Sequence, residues 1–198
     1  ATTGWIGGDT PTDGYFYFYK TSDSGVTWSR LQLAIPAGYE SAYITTTAPK
    51  LFNANDGVLP VWMTIGIGMR DLFLYITHNG GNTWTASPAF ARNAEHTDII
   101  SMSNTISWDW ANIFHVTGNS GKTWTTVTPN VTFGNEFRQL DFVSPTTGWA
   151  RLQLSDGHAA LYRTTDGGST WTMLFGHTIP TPTPTPSPAA FAKSLVDP

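Results

Sequence analysis

The chain has 198 residues, of which 40% are hydrophobic and only 12% charged, and its formal net charge is −4. Its ten basic residues are scattered singly, and no apolar run approaches the roughly 18 residues of a membrane span, so we expect neither a nucleic-acid partner nor a spanning segment. There is no Cys, and the five His lie far apart without ligand spacing, so no disulfide, metal or other cofactor is predicted.

Thr, Ser, Gly, Asn and aromatic residues make up for the low charged fraction. Of these, Thr, Tyr, Trp and Phe favour half-buried pleated surfaces and predict an all-β fold. In chain order the predicted strands are 4–8, 15–20 and 28–33; then 41–48, 58–65, 72–76 and 84–90; then 98–103, 105–111, 112–116 and 124–130; and finally 138–143, 148–154, 160–163 and 171–175.

An eight-residue pattern, T-x-[D/N]-x-G-x-T-W, recurs between the last two strands of each group. Its copies are TSDSGVTW (21–28), THNGGNTW (77–84), TGNSGKTW (117–124) and TTDGGSTW (164–171). The Asp or Asn positions are separated by 56, 40 and 47 residues. Four short antiparallel strands in a period of about 40–50 residues are typical of a propeller blade.

The composition of these boxes suits a hairpin turn. The Asp or Asn side chain accepts bonds from backbone N–H groups, the Gly adopts a positive φ, and the Trp folds back on the blade. The residues assigned to these structural turns are Asp23, Gly25, Trp28, Asn79, Gly81, Trp84, Asn119, Gly121, Trp124, Asp166, Gly168 and Trp171. A metal ligand set would tolerate Asn in two copies poorly, so a structural role is favoured.

The boxes resemble Asp-box repeats, also called BNR or sialidase-type repeats. Together with the TGW stretches at 3–5 and 147–149, they resemble the photosystem II assembly and stability factor-like propellers. The resemblance covers roughly residues 1–175. It implies a β-propeller of four four-stranded antiparallel blades and a protein-binding or assembly role, with the boxes on the blade periphery, away from the ligand.

The sequence divides into blades (1–176), a Pro/Thr-rich linker (177–189) and a C-terminal segment (190–198). The first blade begins without an inner strand. SLVDP (194–198) followed by ATTGW repeats DFVSP (141–145) followed by TTGW, so the C-terminal segment is a candidate for that strand. Closure within one chain and exchange between chains, which would give a homo-oligomer, both remain open, as does a simple spacer.

No catalytic residue is assigned. The resemblance to sialidases brings no Arg-Ile-Pro motif, and a glycosidase pair of carboxylates would have to come from Asp71, Asp98, Asp109 and Asp141. A single small propeller does not build the cleft between two propellers that such glucanases use. A carbohydrate-binding or truncated glycosidase-like module remains the alternative.

Two stretches supply candidate binding residues. In SWDWANIF (107–114) two Trp flank an Asp, as in a sugar platform or in packing between blades, and GMRDLF (68–73) offers an Arg–Asp pair. The candidate residues are Trp108, Asp109, Trp110, Arg70, Asp71 and Arg138.

The interpretation is a non-catalytic binding propeller with a protein partner. The Pro/Thr tract indicates a secreted or surface-bound bacterial protein. A structural subunit of an extracellular assembly, joined by strand exchange, is the third alternative.

Overall fold

The computed structural model describes residues 2–7 and 14–176. The predicted linker (177–189) and C-terminal segment (190–198) lie outside the described residues. The described chain is almost entirely strand and turn, with one short 3-10 helix, Gly134–Glu136.

Four groups of strands follow one another along the chain. The first contains β1 (Gly4–Gly7), β2 (Tyr15–Thr21) and β3 (Ser29–Ala34). The second contains β4 (Tyr43–Thr46), β5 (Lys50–Leu51), β6 (Gly57–Gly66), β7 (Met69–Thr77) and β8 (Thr85–Ala86). The third contains β9 (Ala94–Ile99), β10 (Thr105–Asp109), β11 (Phe114–Thr117) and β12 (Thr125–Val127). The fourth contains β13 (Phe137–Phe142), β14 (Gly148–Gln153), β15 (Ala159–Thr164) and β16 (Thr172–Phe175).

Each group forms one antiparallel sheet in which strands lie side by side in chain order, from an inner strand to an outer strand. The protein is therefore an all-β propeller of four blades, as the sequence predicts. Two sheets have four strands, the second has five, and the first has three among the described residues.

The fifth strand of the second blade is a continuation of its inner strand. Both β4 and β5 pair with β6, and residues 47–49 interrupt them opposite Pro60. Pro49 and Pro60 have no N–H to donate, so the ladder breaks where they meet.

The predicted bounds of several strands are wrong: the strand predicted at 124–130 is only Thr125–Val127, and two others differ at least as much. The inner strand of the third blade is Ala94–Ile99 rather than 98–103, because polar residues dominate it and hide its alternation. Residues 100–104 form the following turn, in which Ile100 N donates to Asn104 O at 2.8 Å. The outer strand predicted at 84–90 is only Thr85–Ala86, since Pro88 follows it closely.

Apolar side chains join consecutive blades. Phe16 and Phe18 of the first blade pack with Leu59 and Val61 of the second. Further clusters join the second blade to the third and the third to the fourth. No such cluster among residues 2–7 and 14–176 joins the fourth blade to the first.

The two ends of the sheets differ in their turns. The four boxes connect the last two strands of each blade at one end, which we call the box end. Because the strands are antiparallel, the β6–β7 and β10–β11 turns lie at the other end, which we call the open end.

Candidate protein-binding face

All four boxes share one hydrogen-bond arrangement at the box end. In the first, Thr21 Oγ1 accepts from Gly25 N at 2.9 Å and donates to Asp23 Oδ1 at 2.8 Å. Asp23 Oδ1 also accepts from Thr27 N at 2.9 Å. Asn79 replaces Asp23 in the second box and accepts the same backbone bond at 2.9 Å. Asn suffices because the turn needs only one acceptor oxygen there.

The leading Thr of each box accepts a backbone hydrogen bond and donates another, and it was assigned no role from the sequence alone. Thr21, Thr77, Thr117 and Thr164 are all buried, and each accepts the N–H of the box glycine. The signal was present in the sequence, since this Thr is constant in all four copies.

The six candidate binding residues all lie toward the open end. Arg70 and Asp71 lie near the start of β7, Trp108 and Asp109 end β10, Trp110 follows it, and Arg138 lies near the start of β13. Antiparallel topology brings them together from three blades. Their exposure divides them into two groups.

The first group is buried and supports the fold. Asp71 accepts a 2.7 Å bond from the Tyr39 hydroxyl and one from Asn93 N at 3.3 Å, and Arg92 Nη1 lies 3.7 Å from it. Burial and the bond to Asp71 raise the pKa of Tyr39 to about 12. Asp71 therefore stabilises the fold through these hydrogen bonds and is not accessible from outside.

Asp109 is likewise internal. Its Oδ1 accepts from Ile113 N at 3.0 Å, which closes the β10–β11 turn, and its Oδ2 lies 2.8 Å from His115 Nε2. Trp108 is fully buried and stacks on Phe137 of the next blade, with ring centroids 4.5 Å apart. Neither Asp109 nor Trp108 therefore presents an accessible side chain.

The second group is accessible. Trp110 is 54% exposed because β10 ends at Asp109 and the Trp110 ring lies in the turn, 5.1 Å from Trp108. Arg138 is exposed, and its Nη1 donates to Asn135 O at 2.5 Å and to Phe137 O at 2.9 Å. Carbonyl oxygens carry no net charge, so they position this guanidinium without neutralising it.

Arg70 is held more firmly. Its Nη1 pairs with Glu95 Oε2 at 2.7 Å, Nη2 bonds Thr45 Oγ1 at 3.4 Å, and the guanidinium lies 5.0 Å from the Trp62 ring. These contacts connect the second blade to the inner strand of the third.

His96 lies between the two arginines and the aromatic group. Its ring is 5.0 Å from Phe137 and 5.8 Å from Trp108. Burial lowers the pKa of His96, and the charges of Arg138 and Arg70 lower it further, against the opposing effect of Glu95. The imidazole is therefore mainly neutral at pH 7, and the positive charges that act on it are those of Arg138 and Arg70.

Exposed apolar side chains extend the open end. The β6–β7 hairpin carries Ile65, Ile67 and Met69, all exposed, and Tyr43 is exposed at the start of the neighbouring inner strand. Composition gave no hint of this patch, because exposure at a hairpin tip depends on how far the strands project. We call these four side chains, with Arg70, Trp110 and Arg138, the open-end face.

Among the described residues no group of three or more His, Asp or Glu side chains is arranged to hold a metal ion. No helix in the described part of the chain is long and apolar enough to cross a membrane.

No family model and no curated protein matches this sequence. Solved structures do show similarity. YCF48 from Cyanidioschyzon merolae is 15% identical, with a TM-score of 0.46, over 87% of this chain and 69% of that one. YCF48 bound to a D1 peptide is 12% identical, with a TM-score of 0.36, and the match covers 87% of this chain and 84% of that one. An ancestral GH74 enzyme is 16% identical, with a TM-score of 0.46, over 88% of this chain but 24% of the enzyme. Similarity at this level carries no information on function.

Proposed function

We propose that the protein is a non-catalytic binding module that holds a protein partner on its open-end face. The observation that carries the proposal is that exposed Trp110, Tyr43 and Ile67 lie at the same end of the propeller as Arg70 and Arg138. Trp, Tyr and Arg dominate the binding energy of protein interfaces, and soluble proteins seldom expose contiguous apolar patches without a use.

The buried carboxylates favour binding over catalysis. Asp71 and Asp109 are both used by internal partners, so neither is presented to a substrate. Hydrogen bonds hold the guanidinium groups of Arg70 and Arg138 in place before binding, which also suits recognition.

A phage-displayed random peptide library is the direct test. Peptides selected on the wild-type protein should lose at least about tenfold in affinity for Trp110→Ala and for Arg138→Ala, the loss expected of an interface hot spot. Val26→Ser, which alters an exposed apolar residue at the box end, is the matched control and should bind like wild type. Selected peptides that bind all three variants equally would contradict the proposal.

A carbohydrate ligand is the second candidate, because the exposed ring of Trp110 beside Trp108 offers a stacking surface. Saturable quenching of tryptophan fluorescence by plant-wall oligosaccharides, abolished in Trp110→Ala, would favour it. The composition of the 177–189 tract supports a secreted or surface location, which fractionation of the source cells tests. A role as a subunit of an extracellular assembly predicts oligomers in solution.

A further inference from the structure

The first blade has an unpaired strand edge among the described residues. In the other three blades an inner strand pairs with the strand that follows it: β4 and β5 with β6, β9 with β10, and β13 with β14. In the first blade β2 is the only strand of the described part of the chain that pairs with β1. The other edge of β1 therefore presents backbone N–H and C=O groups that a further strand can bond.

The β1–β2 hairpin matches β14–β15 of the fourth blade residue for residue. Gly4 lies opposite Thr21 as Gly148 lies opposite Thr164. The residue two positions before β1 makes the same contact as its counterpart in the fourth blade. Thr2 O accepts from Ser24 N at 2.8 Å, and Thr146 O accepts from Gly167 N at 2.9 Å. The edge is thus already shaped like that of a blade with an inner strand.

The glycine that opens the second strand is covered by an apolar inner-strand side chain in two other blades. A methyl group on Gly148 would lie 2.5 Å from the Phe142 ring, and one on Gly57 would collide with Leu51. Phe142 in turn packs on the box tryptophan Trp171, with ring centroids 6.0 Å apart.

At Gly4 the same space is a cavity. It has a volume of about 290 Å³ and is lined by Gly4, Thr21, Gly25 and Trp28. The nearest atoms to a methyl group on Gly4 belong to Thr21, at 3.2 Å, and Trp28, at 3.9 Å. An apolar side chain placed in this cavity would cover Trp28 as Phe142 covers Trp171.

We propose that this cavity and the β1 edge form a strand-acceptor site whose occupant is segment 191–195 of the same chain, with Leu195 on Gly4. Leu195 precedes Pro198 by the spacing at which Phe142 precedes Pro145. The pairing of β13 with β14 then sets Lys193 opposite Ile6, as Leu140 lies opposite Ala150. Ser194 and Ala192 would then point to the other face, toward Trp5 and Gly7, where a cavity of about 350 Å³ gives them room.

Direction and length agree with an intrachain occupant. The outer strand β16 ends at the open end, where inner strands begin. Fourteen residues, 177–190, lie between Gly176 and Phe191. At about 3.1 Å per residue in an extended Pro-rich conformation they span roughly 43 Å. Elsewhere seven to nine residues connect an outer strand to the next inner strand, so the tail has length to spare.

Disulfide trapping tests the register, because the wild-type chain has no Cys. In Ile6→Cys/Lys193→Cys the two thiols face each other across the strand pair, within bonding distance. Under mild oxidation we expect most of the protein to form an intrachain disulfide and remain monomeric on a non-reducing gel. Ile6→Cys/Ala192→Cys is the control, because a shift of one residue points the second thiol to the opposite face.

Equal cross-linking of the two variants, or no cross-linking of either, would overturn the proposal. A disulfide-linked dimer would overturn the intrachain assignment in favour of a second copy's tail.

Thermal unfolding provides a second, independent measurement. Leu195→Ala should lower the Tm by about 5 °C, because it reopens the cavity over Trp28. Val196→Ala is the matched control, since its counterpart Val143 is exposed in the fourth blade. An unchanged Tm in Leu195→Ala, or an equal decrease of the Tm in Val196→Ala, would contradict the assignment of Leu195 to the cavity at Gly4. Neither experiment involves the open-end face, so both are independent of the proposed function.

Discussion

The first and fourth blades contain the same box in two different surroundings. Trp28 and Trp171 each donate their indole N–H to the carbonyl of the box glycine, at 3.0 and 2.8 Å. Yet Trp28 is 40% exposed and Trp171 only 3%. Phe114, Phe133 and Phe142 surround the ring of Trp171.

The comparison separates two contributions to a box. Its hydrogen bonds from the leading Thr and from the Trp indole are local, and they recur in the first and fourth blades despite the different surroundings. The burial of its Trp comes from the preceding blade and from the inner strand, which only some blades supply among the described residues. Substitutions in the first and fourth blades test whether these two contributions are separate.

The largest difference is expected between the two tryptophans. Trp171→Ala should lower the free energy of unfolding by about 3–5 kcal/mol, since it leaves a cavity in an aromatic cluster. Trp28→Ala should cost less, about 1–2 kcal/mol, because even with Leu195 over it the ring lacks neighbours such as Phe114 and Phe133, which pack on Trp171. Urea denaturation with a common m-value provides both numbers. Equal losses would show that the neighbouring blades do not decide the contribution of a box.

The box threonines should behave alike in both blades. Thr21→Val and Thr164→Val each remove the acceptor of the glycine N–H while keeping the side chain's shape. We expect each to cost about 1–2 kcal/mol, because a buried donor is left unpaired. The same denaturation series measures this. A cost at Thr164 several times that at Thr21 would contradict the local nature of the turn.

The smallest effect is expected from pH. The hydroxyl and backbone N–H of Thr27 bond to Asp23 and lower its pKa from 3.8 to about 2, and bonds from Thr170 lower the pKa of Asp166. Since the folded-state pKa is depressed, the stabilisation is complete above the unfolded pKa and is lost as pH falls through the folded value.

The double variant Asp23→Asn/Asp166→Asn should therefore lose less stability than wild type between about pH 4 and pH 2. Thermal unfolding across that range measures the difference. Asn79 and Asn119 occupy the same position in the middle boxes and cannot titrate. Parallel acid curves for wild type and variant would show that the carboxylates contribute nothing beyond an amide.

Sequence patterns anticipated the strands best where apolar residues alternate. The strand around Phe16 and Phe18 is predicted almost to the residue, because these two aromatic side chains alternate on its buried face. The inner strand Ala94–Ile99 was misplaced, since Glu95, His96 and Asp98 give it no apolar period.

The candidate site was anticipated in part. Arg70, Trp110 and Arg138 were identified as binding candidates and lie at one end of the propeller, but Asp71 and Asp109 are buried with partners. The exposed Ile67 was not identified at all. Exposure depends on which atoms of other blades approach a side chain, and a linear pattern does not contain that information.

The repeat, the turn in each box and the all-β class can all be predicted from the sequence alone. These depend on contacts between residues at most a few positions apart, and Thr, Asp or Asn, Gly and Trp recur at the spacing those contacts need. The burial of each tryptophan, the internal partners of Asp71 and Asp109, and the exposed apolar side chains of the open-end face follow from tertiary packing. Those properties come from packing between blades some 40 or more residues apart in sequence, where neighbouring sheets either supply a partner or leave a cavity such as the one beside Gly4.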